Sequence, residues 1–277
     1  MSVGSRISSL YLKEDFSDVR FIFTDQTDTE IPGHKLIIGT ASDVLKDIVM
    51  SGDTIHITSF TPMIFKQFLR FIYTDNVSWN EESLFSLMAL YQCAETYGVN
   101  GLKAQCQSKL IKVLNGTVDY AAVFTYSRKI QLTFVYDIIL EKMRKDFESL
   151  VKQDSFLSLN GEELKIVVEN GEDLNTDELA LFKALDKWAS GRCHAEGKCL
   201  TGEEKRILLG DIIYIVRIAS IPLQQFSDEI VGSGILTTTE QLAFFKHYSG
   251  VFKFDNICGF QTSPRKNVRK KKTKCLY

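Results

Sequence analysis

A change of hydrophobic period near residues 115–116 constrains this chain more than any other feature. Upstream, two-residue alternation is mixed with helical spacing; downstream, helical spacing alone remains. Val19, Phe21 and Phe23 alternate over 18–23, a polar run follows at 24–29, and a second short strand is expected near 30–32, which together predict a β-hairpin. A third strand is expected at 54–57, between Gly52 and Thr61-Pro62, where Thr can cap a helix and Pro suits its first turn. Between strands two and three, Ser42 can cap a helix that places Val44, Leu45, Ile48 and Val49 at helical spacing. Ile64, Phe65, Phe68, Leu69 and Ile72 share one face over 62–73, and a further helix runs from Asn80-Glu81-Glu82 to Gly98.

The downstream half reads as helices over 102–114, 119–129, 132–151 and 161–169. Three later helix starts carry a polar cap with Glu or Gln three residues on: Asn175 with Glu178, Thr201 with Glu204, Thr238 with Gln241. Another helix is expected from Pro222 to Gly232, and 191–202 reads as a polar loop. The apolar stretch 207–221 is broken by Asp211 and Arg217 and is too short to span a bilayer, so a buried helix is expected there. The fold class is α+β: a small sheet covered by helices over 1–114, an all-α domain over 115–250, and a disordered tail over 251–277.

The formal net charge of −2 hides an asymmetry. Arg265, Lys266, Arg269, Lys270, Lys271, Lys272 and Lys274 crowd the tail without an acid, and removing them leaves 26 basic against 35 acidic groups, a net −9. The body is thus acidic and no nucleic-acid partner is expected for it; the tail reads as a nuclear import signal, with a counter-charge that folds back on the body, a contact to an anionic membrane or a merely solvated charge run as the alternatives. Lys13, Glu14 and Asp15 interrupt the apolar run that a signal peptide needs, so the six cysteines are expected to be reduced thiols in the cytoplasm or nucleus.

Phosphate-loop, dinucleotide, zinc-protease and nucleophile-elbow motifs do not occur. Cys193-His194 with Cys199 offers two thiols and an imidazole in one segment, but structural zinc needs four ligands at closer spacing. No catalytic, cofactor-binding or metal-binding residue is therefore assigned, and no cofactor is expected. His34 and Asp18 read as a structural pair, and the aromatic run Phe65, Phe68, Phe71 and Tyr73 reads as core, as does Trp188.

Asp15-Phe16-Ser17-Asp18-Val19 followed by Ile31-Pro32-Gly33-His34-Lys35-Leu36-Ile37-Ile38-Gly39-Thr40-Ala41-Ser42 resembles the start of a BTB/POZ domain. Phe68-Leu69-Arg70-Phe71-Ile72-Tyr73-Thr74-Asp75 and Ala94-Glu95-Thr96-Tyr97-Gly98-Val99 resemble its later helices, while Trp188 with its neighbours, the segment 212–222 and Ser233-Gly234-Ile235-Leu236 resemble a BACK domain. The whole is similar to BTB-BACK substrate adaptors of cullin-3 ubiquitin ligases.

That resemblance implies a non-catalytic homodimer that binds a cullin-3 type scaffold and an unidentified protein substrate. Ile7, Leu10 and Tyr11, at i, i+3 and i+4 of a short amino-terminal helix, become the expected dimer stripe. Val49, Met50, Asp53 and Tyr73 become the expected cullin-facing residues. Two departures stand out. Cullin-binding relatives often carry a hydrophobic-x-Glu motif where this chain has Met50-Ser51-Gly52-Asp53, and the 27 residues after Gly250 are too few for a substrate-binding domain. A BTB scaffold or decoy that recruits no ligase is the alternative.

Overall fold

The computed structural model describes residues 2–23, 29–77, 79, 83–169, 174–250 and 256–264. The chain divides into two compact units, Met1–Val118 with Tyr126–Val135, and Asp119–Thr125 with Tyr136–Tyr277.

In the first unit a three-stranded sheet is built on β1 (Val19–Phe23) as its central strand. β2 (Thr29–Gly33) pairs with it antiparallel, Val19 opposite Gly33 and Phe21 opposite Ile31. β3 (Thr54–His56) pairs with it parallel, Phe21 opposite Ile55. A parallel neighbour needs a crossover, supplied by α2 (Lys35–Gly39) and α3 (Asp43–Met50), which follow β2; α1 (Val3–Ser8) precedes the sheet. The expected cap at Ser42 is present: its hydroxyl accepts from the Leu45 amide at 3.0 Å.

α4 (Pro62–Thr74) buries Ile64, Phe65, Phe68, Leu69, Phe71 and Tyr73; the first four lie on the face read from the sequence, whereas Ile72, expected with them, is half-buried. Phe65 is the hub. Its ring centroid lies 4.9 Å from Phe21, 5.5 Å from Phe23 and 5.6 Å from Phe68. Asp75 closes α4 in the left-handed region, φ 55°. α5 (Leu84–Thr96) and α6 (Asn100–Leu114) then pack as a pair, burying Leu87, Leu90 and Ala94 from one and Leu102, Cys106 and Leu110 from the other.

Residues of α7 (Tyr120–Lys129) and α8 (Thr133–Lys145) are divided between the two units. The single helix expected over 132–151 is two, because Asp146 leaves helical geometry at φ −120°, ψ 50° before α9 (Phe147–Lys152) begins. α10 (Gly161–Glu169) opens on a reciprocal cap: the Asn160 side chain accepts from the Glu163 amide and the Glu163 carboxylate from the Asn160 amide. α11 (Glu178–Ala195) carries Trp188, whose Nε1 donates to the Leu159 carbonyl at 2.8 Å. It runs on through Arg192 and Cys193, where a loop was expected. α12 (Gly202–Leu209) begins at the expected cap, Thr201.

Two expected helices break up. Gly210, at φ 47° and ψ −127°, ends α12 inside the stretch expected to be helical over 207–221, and two 3-10 turns, Gly210–Ile215 and Ile218–Ser220, follow. The helix expected over 222–232 is α13 (Leu223–Gln225), a wide π turn at Phe226–Ile230 and a 3-10 turn. Two caps are shifted. Asp177 rather than Asn175 caps α11, and Thr237 rather than Thr238 caps α14 (Thr238–Tyr248), with Glu240 completing the box. Residues 256–264, expected to belong to a disordered tail, are ordered. β4 (Asn256–Ile257) and β5 (Phe260–Gln261) form a hairpin whose Phe260 is fully buried, 4.8 Å from Tyr214 and 5.4 Å from Phe244.

Candidate functional site

The residues predicted for the dimer and cullin contacts fall on the first unit, and the structure sorts them sharply. Tyr73, in the last turn of α4, is 4 % exposed and cannot form part of an open surface. Its phenol oxygen accepts the His34 backbone N–H at 3.0 Å and lies 2.7 Å from His34 Nδ1, which accepts the phenol proton in the neutral tautomer whose Nε2 faces a carbonyl. The ring's other nitrogen, Nε2, then carries hydrogen and donates to the Asp15 carbonyl at 2.8 Å. Burial, opposed by the hydrogen bond from His34, pushes the phenol up to about 12. His34 thus pairs with Tyr73 and the backbone of Asp15; Asp18 instead accepts the Lys35 amide at 2.7 Å, correcting the expected His34–Asp18 pair.

Val49 is 1 % exposed on the inner face of α3, whereas Met50, at its end, is 72 % exposed. Asp53 is exposed and forms an ion pair with Lys35 at 2.6 Å, and this hydrogen bond, with the ammonium charge, holds its carboxyl below the usual range. Of the four expected cullin-facing residues, Met50 and Asp53 therefore reach solvent, while Val49 and Tyr73 are core. Sequence spacing identified the helix end but could not tell its inner face from its outer one.

The expected amino-terminal stripe is also redrawn. α1 stops at Ser8, and Leu10 and Tyr11 follow in turns, with Leu12 at φ 56°. Ile7, Leu10 and Tyr11 are half-buried within their own unit. Tyr11 Oη donates to the Lys66 carbonyl of α4 at 2.8 Å, and its ring lies 6.1 Å from Tyr73. The large apolar side chains left in water nearby in sequence are Val3, Phe16 and Leu36; Phe16 is 89 % and Leu36 81 % exposed. Phe16 also sits at φ 63°, a conformation that costs an L-aromatic residue of order 1–3 kcal/mol. Its αL geometry gave no signal in the sequence.

A shallow groove, unforeseen from sequence, lies on the same unit. Phe60, Met63 and Ile64 line one side, Phe85 and Ala89 of α5 another, and Tyr126 of α7 a third. Phe85 and Tyr126 meet edge-to-face at 5.1 Å, and Gln92 Nε2 ties the Ile130 carbonyl at 2.8 Å. Three segments far apart in sequence make it, so no local pattern announces it. Cys193 is buried on α11 while Cys199 is exposed, and no cluster of three or more His, Cys, Asp or Glu side chains fit to hold a metal occurs among the described residues. None of the helices among them is long and apolar enough to cross a membrane. The basic residues Arg265, Lys266, Arg269, Lys270, Lys271, Lys272 and Lys274 lie outside the described residues.

Comparison with known proteins agrees with this architecture. Residues 7–114 match the BTB/POZ domain family, and residues 120–228 the BACK family, "BTB And C-terminal Kelch". The chain is a BTB-BACK domain protein, with the sheet-and-helix domain first and the helical domain after it. It is 27 % identical over 258 residues to human BTB/POZ domain-containing protein 6 and 25 % identical over 258 residues to human BTB/POZ domain-containing protein 3, each alignment covering 91 % of this chain. The alignments take in 47 % and 48 % of those proteins, so the chain spans about half the length of the curated relatives it matches. Among solved structures, the BTB domain of human Gigaxonin matches 40 % of this chain and 97 % of its own at 22 % identity and a TM-score of 0.33; the BTB domain of zebrafish PATZ1 matches the same shares at 18 % and 0.33.

Proposed function

We propose that this protein is a non-catalytic, homodimeric adaptor that brings a protein substrate to a cullin-3 type ubiquitin ligase. The observation that carries the reading is that the BTB unit leaves large apolar side chains in water, among them Val3, Phe16, Leu36 and Met50. A monomer gains nothing from a strained, exposed Phe16, whereas a partner surface that buried it would offset the strain. We place the dimer contact on Val3, Phe16 and Leu36, with Ile7, Leu10 and Tyr11 as their half-buried support. The cullin contact is placed on Met50 and Asp53, and Val49 and Tyr73 act from beneath by holding α3 and α4.

The test is titration calorimetry of the full chain with a cullin-3 amino-terminal fragment, beside light scattering of the chain alone. A dimer that takes up the fragment, and loses it with Met50→Asp, is the expected result. The second reading, a scaffold without a ligase, is favoured by the Ser51-Gly52-Asp53 loop, which lacks the glutamate and whose carboxylate is already paired with Lys35. A stable dimer that gives no heat supports the scaffold. A monomer at micromolar concentration removes both. The basic run is read as a nuclear import signal, and a fluorescent fusion whose nuclear fraction survives changing Arg269, Lys270, Lys271 and Lys272 to Ala rejects it.

A further inference from the structure

We propose that Ser263 is a phosphorylation site for a proline-directed protein kinase that also reads the cations behind the proline. Two of the four prolines follow a hydroxyl residue, in Thr61-Pro62 and Ser263-Pro264, and the structure treats the two pairs differently. Thr61 is the N-cap of α4; its hydroxyl accepts from the Ile64 amide at 3.4 Å, and Pro62 sits in the first helical turn. A kinase cleft takes its substrate as an extended strand with the hydroxyl presented to ATP, so a helix cap is a poor candidate. The residue next but one after Pro62 is Ile64, with no cation before Lys66.

Ser263 and Pro264 are both exposed and follow β5 outside regular structure. Ser263 lies in a bend, and proline disfavours helical geometry in the residue before it, so Ser263 is kept out of a helix and can be drawn out in a cleft. The stem is firm: Ile257 and Phe260 are buried, and the Gly259 amide donates to the Asn256 side chain at 2.7 Å. Arg265 and Lys266 come next in sequence, matching a kinase whose cleft has an apolar pocket for proline and acidic side chains beyond it. In the reaction Ser263 Oγ bonds to the γ-phosphorus of ATP, the bond from that phosphorus to the β–γ bridging oxygen breaks, ADP leaves, and the hydroxyl proton passes to the kinase's catalytic carboxylate. The phosphoserine then sets about −1.5 to −2 charges against the seven cations of 265–274.

The test incubates the full chain with ATP and a purified cyclin-dependent kinase, followed by intact-mass and peptide mass spectrometry, beside a synthetic peptide of residues 258–270. One phosphoryl group per chain on Ser263, absent from Ser263→Ala and reduced at least tenfold in Pro264→Ala and in Lys266→Ala, is expected. A peptide that is phosphorylated while the full chain is not would mean that the folded protein shields Ser263, and overturns the proposal. So does an unmodified peptide, or incorporation that Ser263→Ala leaves unchanged. The readout requires neither dimer nor cullin, so its failure is separable from failure of the adaptor reading.

Discussion

Tyr73 joins three stretches of chain through one hydroxyl: α4, which carries it, the His34 backbone and ring, and through that ring the Asp15 carbonyl. Tyr73→Phe keeps the ring but leaves a buried N–H and a ring nitrogen unpartnered, and is expected to cost about 1–3 kcal/mol in urea unfolding at neutral pH. The phenol also sets a pH dependence. Unfolded, it loses its proton near 10, and folded near about 12, so between those values the unfolded state binds fewer protons. Its contribution is complete below pH 10 and falls as pH rises through that window, so urea midpoints measured from pH 9 to 12 should fall more steeply in the native protein than in Tyr73→Phe. Tyr97, also pushed up to about 12 by burial, adds a residual slope to both.

The α14 start links several elements of the second unit. Glu240 closes the capping box with Thr237 and takes Arg206 of α12 at 2.8 Å; the Arg206 guanidinium also bonds the Tyr214 hydroxyl at 2.9 Å and lies 5.0 Å from that ring's centroid. Thr237→Ala removes only the cap and should cost about 1 kcal/mol. Arg206→Ala strands a mostly buried carboxylate and should cost about 3 kcal/mol, read in a Trp79→Phe background as earlier loss of Trp188 burial by fluorescence in urea. Gly202 is a backbone requirement of the same region: a Cβ there would overlap the Gly234 carbonyl carbon and oxygen, main-chain atoms that cannot swing aside. Gly202→Ala is therefore expected to yield a chain with weakened α12 protection in hydrogen exchange.

Two cores, one around Phe65 and the other around Trp188 and Phe182, make the molecule a pair of compact units. Phe65→Ala deletes the hub of the first and should cost about 3–5 kcal/mol there, seen as lost amide protection over Val19–Phe23. In a Trp79→Phe background, where Trp188 is the sole tryptophan, the emission maximum in native buffer is expected to stay unchanged. A simultaneous red shift would mean that the cores unfold as one.

Periodicity and caps were legible because they depend on neighbours in sequence. Phe21 and Phe23 alternate inward, Phe65 and Phe68 recur at helical spacing, and Ser42 and Thr201 sit where their hydroxyls meet amides three residues on. Family resemblance followed from the order of such segments. Phase and exposure were not legible. Asn175 and Asp177 are both competent caps, and the choice of Asp177 is tied to Asn175 bonding the Lys145 carbonyl, a contact 30 residues away. Val49 and Met50 are adjacent and equally apolar, yet one packs inside and the other faces water, because the direction in which α3 lies against its neighbours is decided by packing across the whole unit. The groove of Phe60, Phe85 and Tyr126 has the same origin. Local chemistry sets which elements form, whereas which side chains remain free to meet a partner depends on contacts between residues far apart in the chain, and those exist only once the tertiary fold has closed.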